Sequence, residues 1–114
     1  MHSLALAVAL MAGGCRGTLE GAVHSYDAGR YSEADIAFRG AERPSRSWDF
    51  ENRARYALYR GLTHLALGDA RAADRWLRAA KAAVESDPDG FSPEDRGRLA
   101  AAWRSLGHMP GDGR

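Results

Sequence analysis

Two segments of this chain repeat one pattern at an offset of 39 residues. In each segment, a stretch with helical periodicity is followed by a glycine, a short turn and a second helical stretch. The offset relates Gly29 to Gly68, and it also aligns three apolar positions, pairing Ala34 with Ala73, Phe38 with Leu77 and Ala41 with Ala80. This self-similarity predicts two copies of one helical hairpin, which must pack side by side because neither can bury its apolar face alone.

The composition also favours helices over strands. Alanine, the best helix former, is the commonest residue, whereas the β-branched residues that favour strands are rare. The hydrophobic fraction of 45% is that of an ordinary globular domain. A net charge of +1 lacks the basic excess of most nucleic-acid-binding proteins, so we expect no nucleic-acid partner. The sequence therefore predicts an all-α domain.

Capping signals predict five helices. Ser32, followed three residues later by Asp35, resembles a capping box that opens the second helix. A longer loop is expected at residues 43–47, between the two hairpins. Gly68 is placed to cap the third helix in the left-handed conformation, and Ser92 with the proline after it is typical of a helix start. The result is two hairpins and a final helix that covers the open end.

A few large residues must supply most of the core, because alanine and glycine bury little area each. We expect this role for Phe38, Tyr56, Trp76, Leu77 and Trp103. The apolar stripe of the third helix is expected to begin at Phe50.

The repeated hairpins resemble the tetratricopeptide repeat (TPR), a unit of about 34 residues in which two antiparallel helices carry small or aromatic residues at fixed positions. In the second repeat the matching positions are Gly61, Gly68, Ala73, Leu77 and Ala80. In the first they are Ala22, Gly29, Tyr31, Ala34, Phe38 and Ala41. The resemblance implies two TPR-like helix pairs plus a C-terminal capping helix, which is a fragment of an α-solenoid. The resemblance covers roughly residues 18–87, and with the final helix the domain is expected at residues 18–107, followed by a flexible tail at residues 108–114.

Stacked helix pairs of this kind form a concave surface, which in the resembled family holds a peptide or a partner's helix. Carried over by position, the resemblance implies a partner-binding groove formed by Leu19, Val23, Tyr26, Arg55, Leu58, Leu62 and Leu65. Tyr and Arg are favoured anchors in such interfaces. The other interpretation is that the three leucines of the second pair are buried under the final helix. The expected partner is an unidentified protein or peptide, and no small-molecule substrate is expected.

The N-terminus carries an apolar run over residues 4–12, which is shorter than the roughly 20 residues that cross a bilayer. Small residues follow the run and lead to Cys15, the only cysteine. This arrangement resembles the lipobox of a bacterial lipoprotein signal peptide. The resemblance implies a signal peptide at residues 1–14, a lipid-anchored N-terminus at residues 15–17 with the lipid on Cys15, and a place in the cell envelope, at the outer membrane facing the periplasm. Two alternatives are a cleaved secretory peptide without lipid and an apolar first helix with a buried cysteine.

The sequence contains no residue pattern typical of an active site, a cofactor site or a metal site. The four histidines lie far apart, and His64 is interpreted as a polar residue of the repeat surface rather than a ligand. We therefore expect no catalysis, no cofactor and no metal. The chain is interpreted as a lipid-anchored adaptor of the bacterial envelope that binds another protein. The alternatives are a pilotin-like escort lipoprotein for a secretin or pilus component, and an accessory subunit of an enzyme complex.

Overall fold

The computed structural model describes residues 14–108, with side chains from Thr18 onward. These residues form six α-helices and no strand, which confirms the all-α prediction. The helices are α1 (Gly14–Asp27), α2 (Tyr31–Gly40), α3 (Glu42–Ser45), α4 (Phe50–Ala66), α5 (Ala70–Ser86) and α6 (Pro93–Ser105), with a 3₁₀ turn at Pro88–Gly90. The apolar run of the predicted signal peptide and the predicted tail beyond His108 lie outside the described residues.

The two predicted hairpins are present, because α1 packs against α2 and α4 packs against α5. Contacts between α2 and α4 join the hairpins, and α6 packs against both α4 and α5. The central helix is α4, which contacts each of the other five helices of the described chain. Within residues 14–108, no helix combines the length and the apolar character needed to span a bilayer.

The same glycine cap ends the first helix of each hairpin. Gly29 and Gly68 have φ angles of +78° and +85°, the left-handed conformation that only glycine adopts without strain. In both turns the glycine N–H donates to the carbonyl three residues back, and the next N–H donates to the carbonyl five residues back. Gly107 ends α6 in the same way. This hydrogen-bond pattern is the Schellman motif, and its repetition explains why the two hairpins share one sequence pattern.

Two predicted boundaries are wrong. The helix α2 begins at Tyr31, directly after the glycine turn, so Ser32 lies inside its first turn and caps nothing; the N-cap residue, Arg30, makes no side-chain capping bond. The expected loop at residues 43–47 is largely the single-turn helix α3. Pro44 fits there because the first turn of a helix leaves its N–H groups unpaired in any case.

The starts of α4, α5 and α6 carry side-chain caps. Asp49, Asp69 and Ser92 each accept a hydrogen bond from the backbone N–H three residues further on. The proline after Ser92 occupies the first turn of α6, as predicted. These caps fix where α4, α5 and α6 begin, and so they fix which side chains of each helix face its neighbours.

The core contains four of the five large residues expected in it. Phe38, Tyr56, Leu77 and Trp103 are each at most 3% exposed, whereas Trp76 is half-buried at the edge of the core. Phe50 is 40% exposed, so the prediction that it begins the buried stripe of α4 is wrong. It is the first residue of α4 and so lies at the end of the helix rather than in its buried middle.

The helices α4 and α5 approach each other closely at Gly61. A Cβ atom added there would lie 2.7 Å from Cγ of Leu77, which is itself fully buried. On the adjoining side of α4, the ring of Tyr56 makes edge-on contacts with Phe38, Trp48 and Trp76 at 5.7–5.8 Å between ring centroids. The hydroxyl of Tyr56 donates a 2.7 Å hydrogen bond to the carbonyl of Phe38, which ties α4 to α2.

Candidate functional site

Most residues of the predicted groove do not form an exposed surface. Leu19, Val23, Leu58 and Leu62 are 0–6% exposed and belong to the core. For Leu58 and Leu62 the alternative interpretation, burial, is therefore the correct one. The prediction failed because α1, α2, α5 and α6 pack around α4, so that the middle of α4 is buried and only its ends stay near solvent.

An open cavity of about 490 Å³ remains where α1, α4 and α6 come together, and we call it the groove. Three of the seven predicted residues line it, namely Tyr26, Leu62 and Leu65. The structure adds residues from α1, α2 and α6 that sequence reasoning missed: Asp27, Tyr31, Arg98, Ala101, Ala102 and Ser105.

Arg98 holds one side of the groove together. Its Nη1 atom donates a 2.8 Å hydrogen bond to Oδ1 of Asp27 and a 3.1 Å bond to the hydroxyl of Tyr59. Its guanidinium group also lies 5.8 Å from the ring centroid of Tyr26 and 5.5 Å from that of Tyr59. The hydrogen bond to Asp27 raises the pKa of Arg98 above its ordinary value, although partial burial opposes the shift. The side chain is therefore a fixed cation that connects α6 with α1.

A second polar bridge crosses α4 closer to the start of α6. The hydroxyl of Tyr59 donates a 2.7 Å bond to Oδ1 of Asp95, whose other oxygen accepts a 3.3 Å bond from Nε of Arg55. Arg55 also donates to both carboxylate oxygens of Glu20, at 2.9 Å and 3.1 Å. Asp95 is only 4% exposed, so these partners satisfy a carboxylate that is otherwise costly to bury. Arg55, predicted to bind a partner, instead links α1 to α6.

Tyr26 at the groove and Tyr59 behind it have neutral side chains. Burial raises the pKa of Tyr26, and burial together with the bond to Asp95 raises the pKa of Tyr59. Neither phenol ionises near neutral pH, so neither supplies a base or a nucleophile there. The rings of Tyr26 and Tyr31 lie 5.4 Å apart, which places two aromatic side chains side by side at the edge of the groove.

The environment of His64 differs from the predicted one. The sequence places this residue on the polar surface of the repeat, but it is 5% exposed on α4. Its Nε2 atom has no hydrogen-bond partner among the described residues. In the part of the chain that the structure describes, no group of three or more His, Cys, Asp or Glu side chains is placed to hold a metal ion.

The position of two charged residues in the last helix is a sequence signal that could have revealed the polar bridges. Asp95 and Arg98 lie within one turn of Leu99 and Ala102, on the side of the last helix that is expected to be buried. Charged residues are rarely buried unless they are paired, so an acidic and a basic residue on that side predict partners across the interface. The identity of those partners depends on the packing of α1, which the sequence does not define.

Comparison with known proteins adds nothing to this geometry, since the sequence matches no family model and resembles no curated protein or solved structure significantly.

Proposed function

We propose that this chain is a small helical docking module that binds a segment of a protein partner in the groove between α1, α4 and α6. The observation that carries the proposal is the groove itself, an open cavity in which Tyr26, Tyr31 and Arg98 lie beside Leu62 and Leu65. Tyr and Arg are the residue types most often found to dominate binding energy at protein interfaces, and leucine side chains add apolar contact.

The shape of the groove favours a protein segment over a metabolite. Small-molecule sites enclose most of the ligand surface in a mainly apolar pocket. This groove is open along one side, and polar side chains such as Asp27 and Ser105 stand next to its apolar ones. An open depression with mixed polar and apolar lining suits a peptide or helix that stays partly in solvent.

The polar bridges support the proposal because they make the groove rigid before binding. Arg98 joins α6 to Asp27 of α1, and Arg55 joins Glu20 of α1 to Asp95 of α6. Both bridges span α4, so the two helices that border the groove are held at a fixed separation. A preformed surface loses less conformational entropy on binding than a flexible one.

As part of the same proposal, the module is lipid-anchored at Cys15 in the bacterial envelope. Cys15 is the second residue of α1, and Asp27 at the groove is the last. Twelve helical steps separate the two residues, which corresponds to about 18 Å along the helix axis. A lipid on Cys15 would therefore hold the groove away from the membrane surface, where a partner can reach it. On this proposal the protein is a lipid-anchored, TPR-like adaptor.

A photo-crosslinking experiment in the native host tests the proposal. Ala101 is exposed and lines the groove, whereas Ala82 is exposed on α5 and lies outside it. A photoreactive amino acid at position 101 is expected to trap one envelope protein as a discrete adduct, and the same residue at position 82 is expected to give none. No adduct at either position, or the same adducts at both, would contradict the proposal.

A further inference from the structure

A second cavity, of about 330 Å³, lies between α5 and α6, and we call it the end cleft. It is lined by Lys81, Val84, Arg96, Leu99, Ala100, Trp103 and Arg104. The α6 residues at the end cleft and those at the groove lie about half a helical turn apart, so they occupy opposite faces of that helix. The end cleft is therefore a separate surface, and binding there does not depend on the proposed function of the groove.

The inner surface of the end cleft is apolar. Leu99 and Trp103 of α6 are each 3% exposed, and Val84 of α5 is half-buried beside them. The indole ring of Trp103 is already covered, because the His108 ring stacks on it at 4.2 Å and Nζ of Lys81 and the guanidinium carbon of Arg78 lie 5.5 Å and 5.6 Å from its centroid. The apolar side chains that remain open to a ligand are those of Val84 and Ala100. A ligand of this cleft must supply apolar side chains to the centre.

The rim of the end cleft is positively charged. Lys81 is paired with Glu85 at 2.6 Å. Arg96 donates to the carbonyl oxygens of Pro88 and Phe91, which orient its guanidinium group without neutralising it. Arg104 is exposed at the same rim. The apolar centre and basic rim match a ligand that carries carboxylates on both sides of an apolar stripe.

We propose that the end cleft binds an acidic amphipathic helix of a partner protein. The cleft runs between two packed helices, and a third helix packs naturally into the depression between two others. The backbone N–H and C=O groups along both walls are already paired within α5 and α6. An extended peptide therefore could not add to the cleft as a β-strand, because no backbone groups are free to hydrogen-bond with it. The helical ligand presents apolar residues at i, i+4 and i+7 to Val84 and Ala100, and its flanking carboxylates face Arg96 and Arg104.

Synthetic peptides test this proposal with the full-length protein. The first probe is a helix-forming Ala/Glu peptide with leucines at i, i+4 and i+7, and its control has Lys in place of every Glu. Fluorescence anisotropy is expected to show that the Glu peptide binds at least about tenfold more tightly than the Lys peptide. Equal affinities would overturn the proposal, as would binding of oleate at the cleft without binding of the Glu peptide.

Two variants locate the binding site. Arg104→Glu is expected to weaken binding of the Glu peptide about tenfold, whereas Arg75→Glu changes the net charge equally on an exposed part of α5 outside the cleft and should have little effect. Ala100→Trp is expected to abolish binding by filling the cleft, with circular dichroism confirming the fold. If Arg75→Glu is as harmful as Arg104→Glu, or if Ala100→Trp binds normally, the cleft is not the site.

Discussion

The side chains of Arg98 and Asp27 meet at 2.8 Å, although 71 positions of the chain separate the two residues. One belongs to the last helix and the other to the end of the first described helix, so this ion pair joins the two borders of the groove directly. Each side chain is partly exposed, at 32% and 47% of its surface. The pair therefore contributes mainly to the geometry of the groove and only modestly to the stability of the fold.

A double-mutant cycle measures this contribution. The single variants Arg98→Ala and Asp27→Ala and the double variant are unfolded in urea, and the free energies of unfolding are compared. We expect a coupling energy of about 0.5–1 kcal/mol, the range of partly exposed ion pairs. Arg98→Ala alone should cost more than Asp27→Ala, because it also removes the contacts with Tyr59 and Tyr26. A coupling energy of zero would show that the pair does not hold α1 and α6 together in solution.

Two glycine substitutions test the packing of α4 on α5. Gly61→Ala places a methyl group against the buried side chain of Leu77, and we expect it to destabilise the protein by about 1–3 kcal/mol. Gly97→Ala in α6 has no neighbouring atom within 4 Å and serves as the matched control. Because alanine has a higher helix propensity than glycine, Gly97→Ala is expected to stabilise the protein by about 0.5–1 kcal/mol. Equal effects of the two substitutions in thermal unfolding would contradict the close approach at Gly61.

The stability of the fold should fall at mildly acidic pH because of His64. Burial lowers its pKa below the ordinary value of about 6.5, although Asp35 and Asp69 oppose the shift. At pH values between the two pKa values, the unfolded chain binds more protons than the folded one. The contribution of neutral His64 to the free energy of unfolding is therefore fully present above the ordinary pKa and decreases as the pH falls toward the lowered pKa. The melting temperature of His64→Gln is expected to depend less on pH than that of the wild type. If the melting temperatures of the two proteins depend equally steeply on pH, His64 is not the cause of the acid destabilisation. The variant His24→Gln, at an exposed histidine, serves as the control and should behave like the wild type.

Lipid attachment is tested at the residue that would carry it. Cells fed an alkyne fatty-acid analogue are expected to label the wild-type protein and not the Cys15→Ser variant, since the thiol is the only one in the chain. The variant should also leave the membrane fraction, because two or three acyl chains anchor a protein firmly and their loss removes the anchor. Equal labelling of the two proteins would contradict the lipoprotein interpretation.

The helices of this chain could be predicted because their signals are local. The glycine turns at Gly29 and Gly68, the caps at Asp69 and Ser92, and the scarcity of β-branched residues all act within a few positions of the chain. The errors have the same origin. The pattern at Ser32 resembles a cap, but the helix starts two residues earlier, directly after the Schellman turn. The helix α3 is too short for a periodic pattern to reveal.

The site could be predicted only in part, because it depends on how three distant helices meet. Of the predicted residues, Tyr26, Leu62 and Leu65 are among those that line the groove, although Leu62 is only 6% exposed. Leu19 and Leu58 are not, since the extent to which α6 closes over α4 depends on tertiary packing rather than on periodicity. The roles of Arg55 and Arg98 as bridges are likewise missed, because a charge pattern shows that a partner is needed without showing which residue supplies it.

The central claim is that the groove binds a protein partner, and the affinity of the crosslinked partner for two variants of α2 tests it most directly. Tyr31 lines the groove, whereas Ile36 is 72% exposed on the same helix and lies outside it. Calorimetry is expected to show that Tyr31→Ala weakens binding about tenfold or more, as for an aromatic anchor, and that Ile36→Ala binds like the wild type. Wild-type affinity in Tyr31→Ala, or an equal loss in both variants, would contradict the claim.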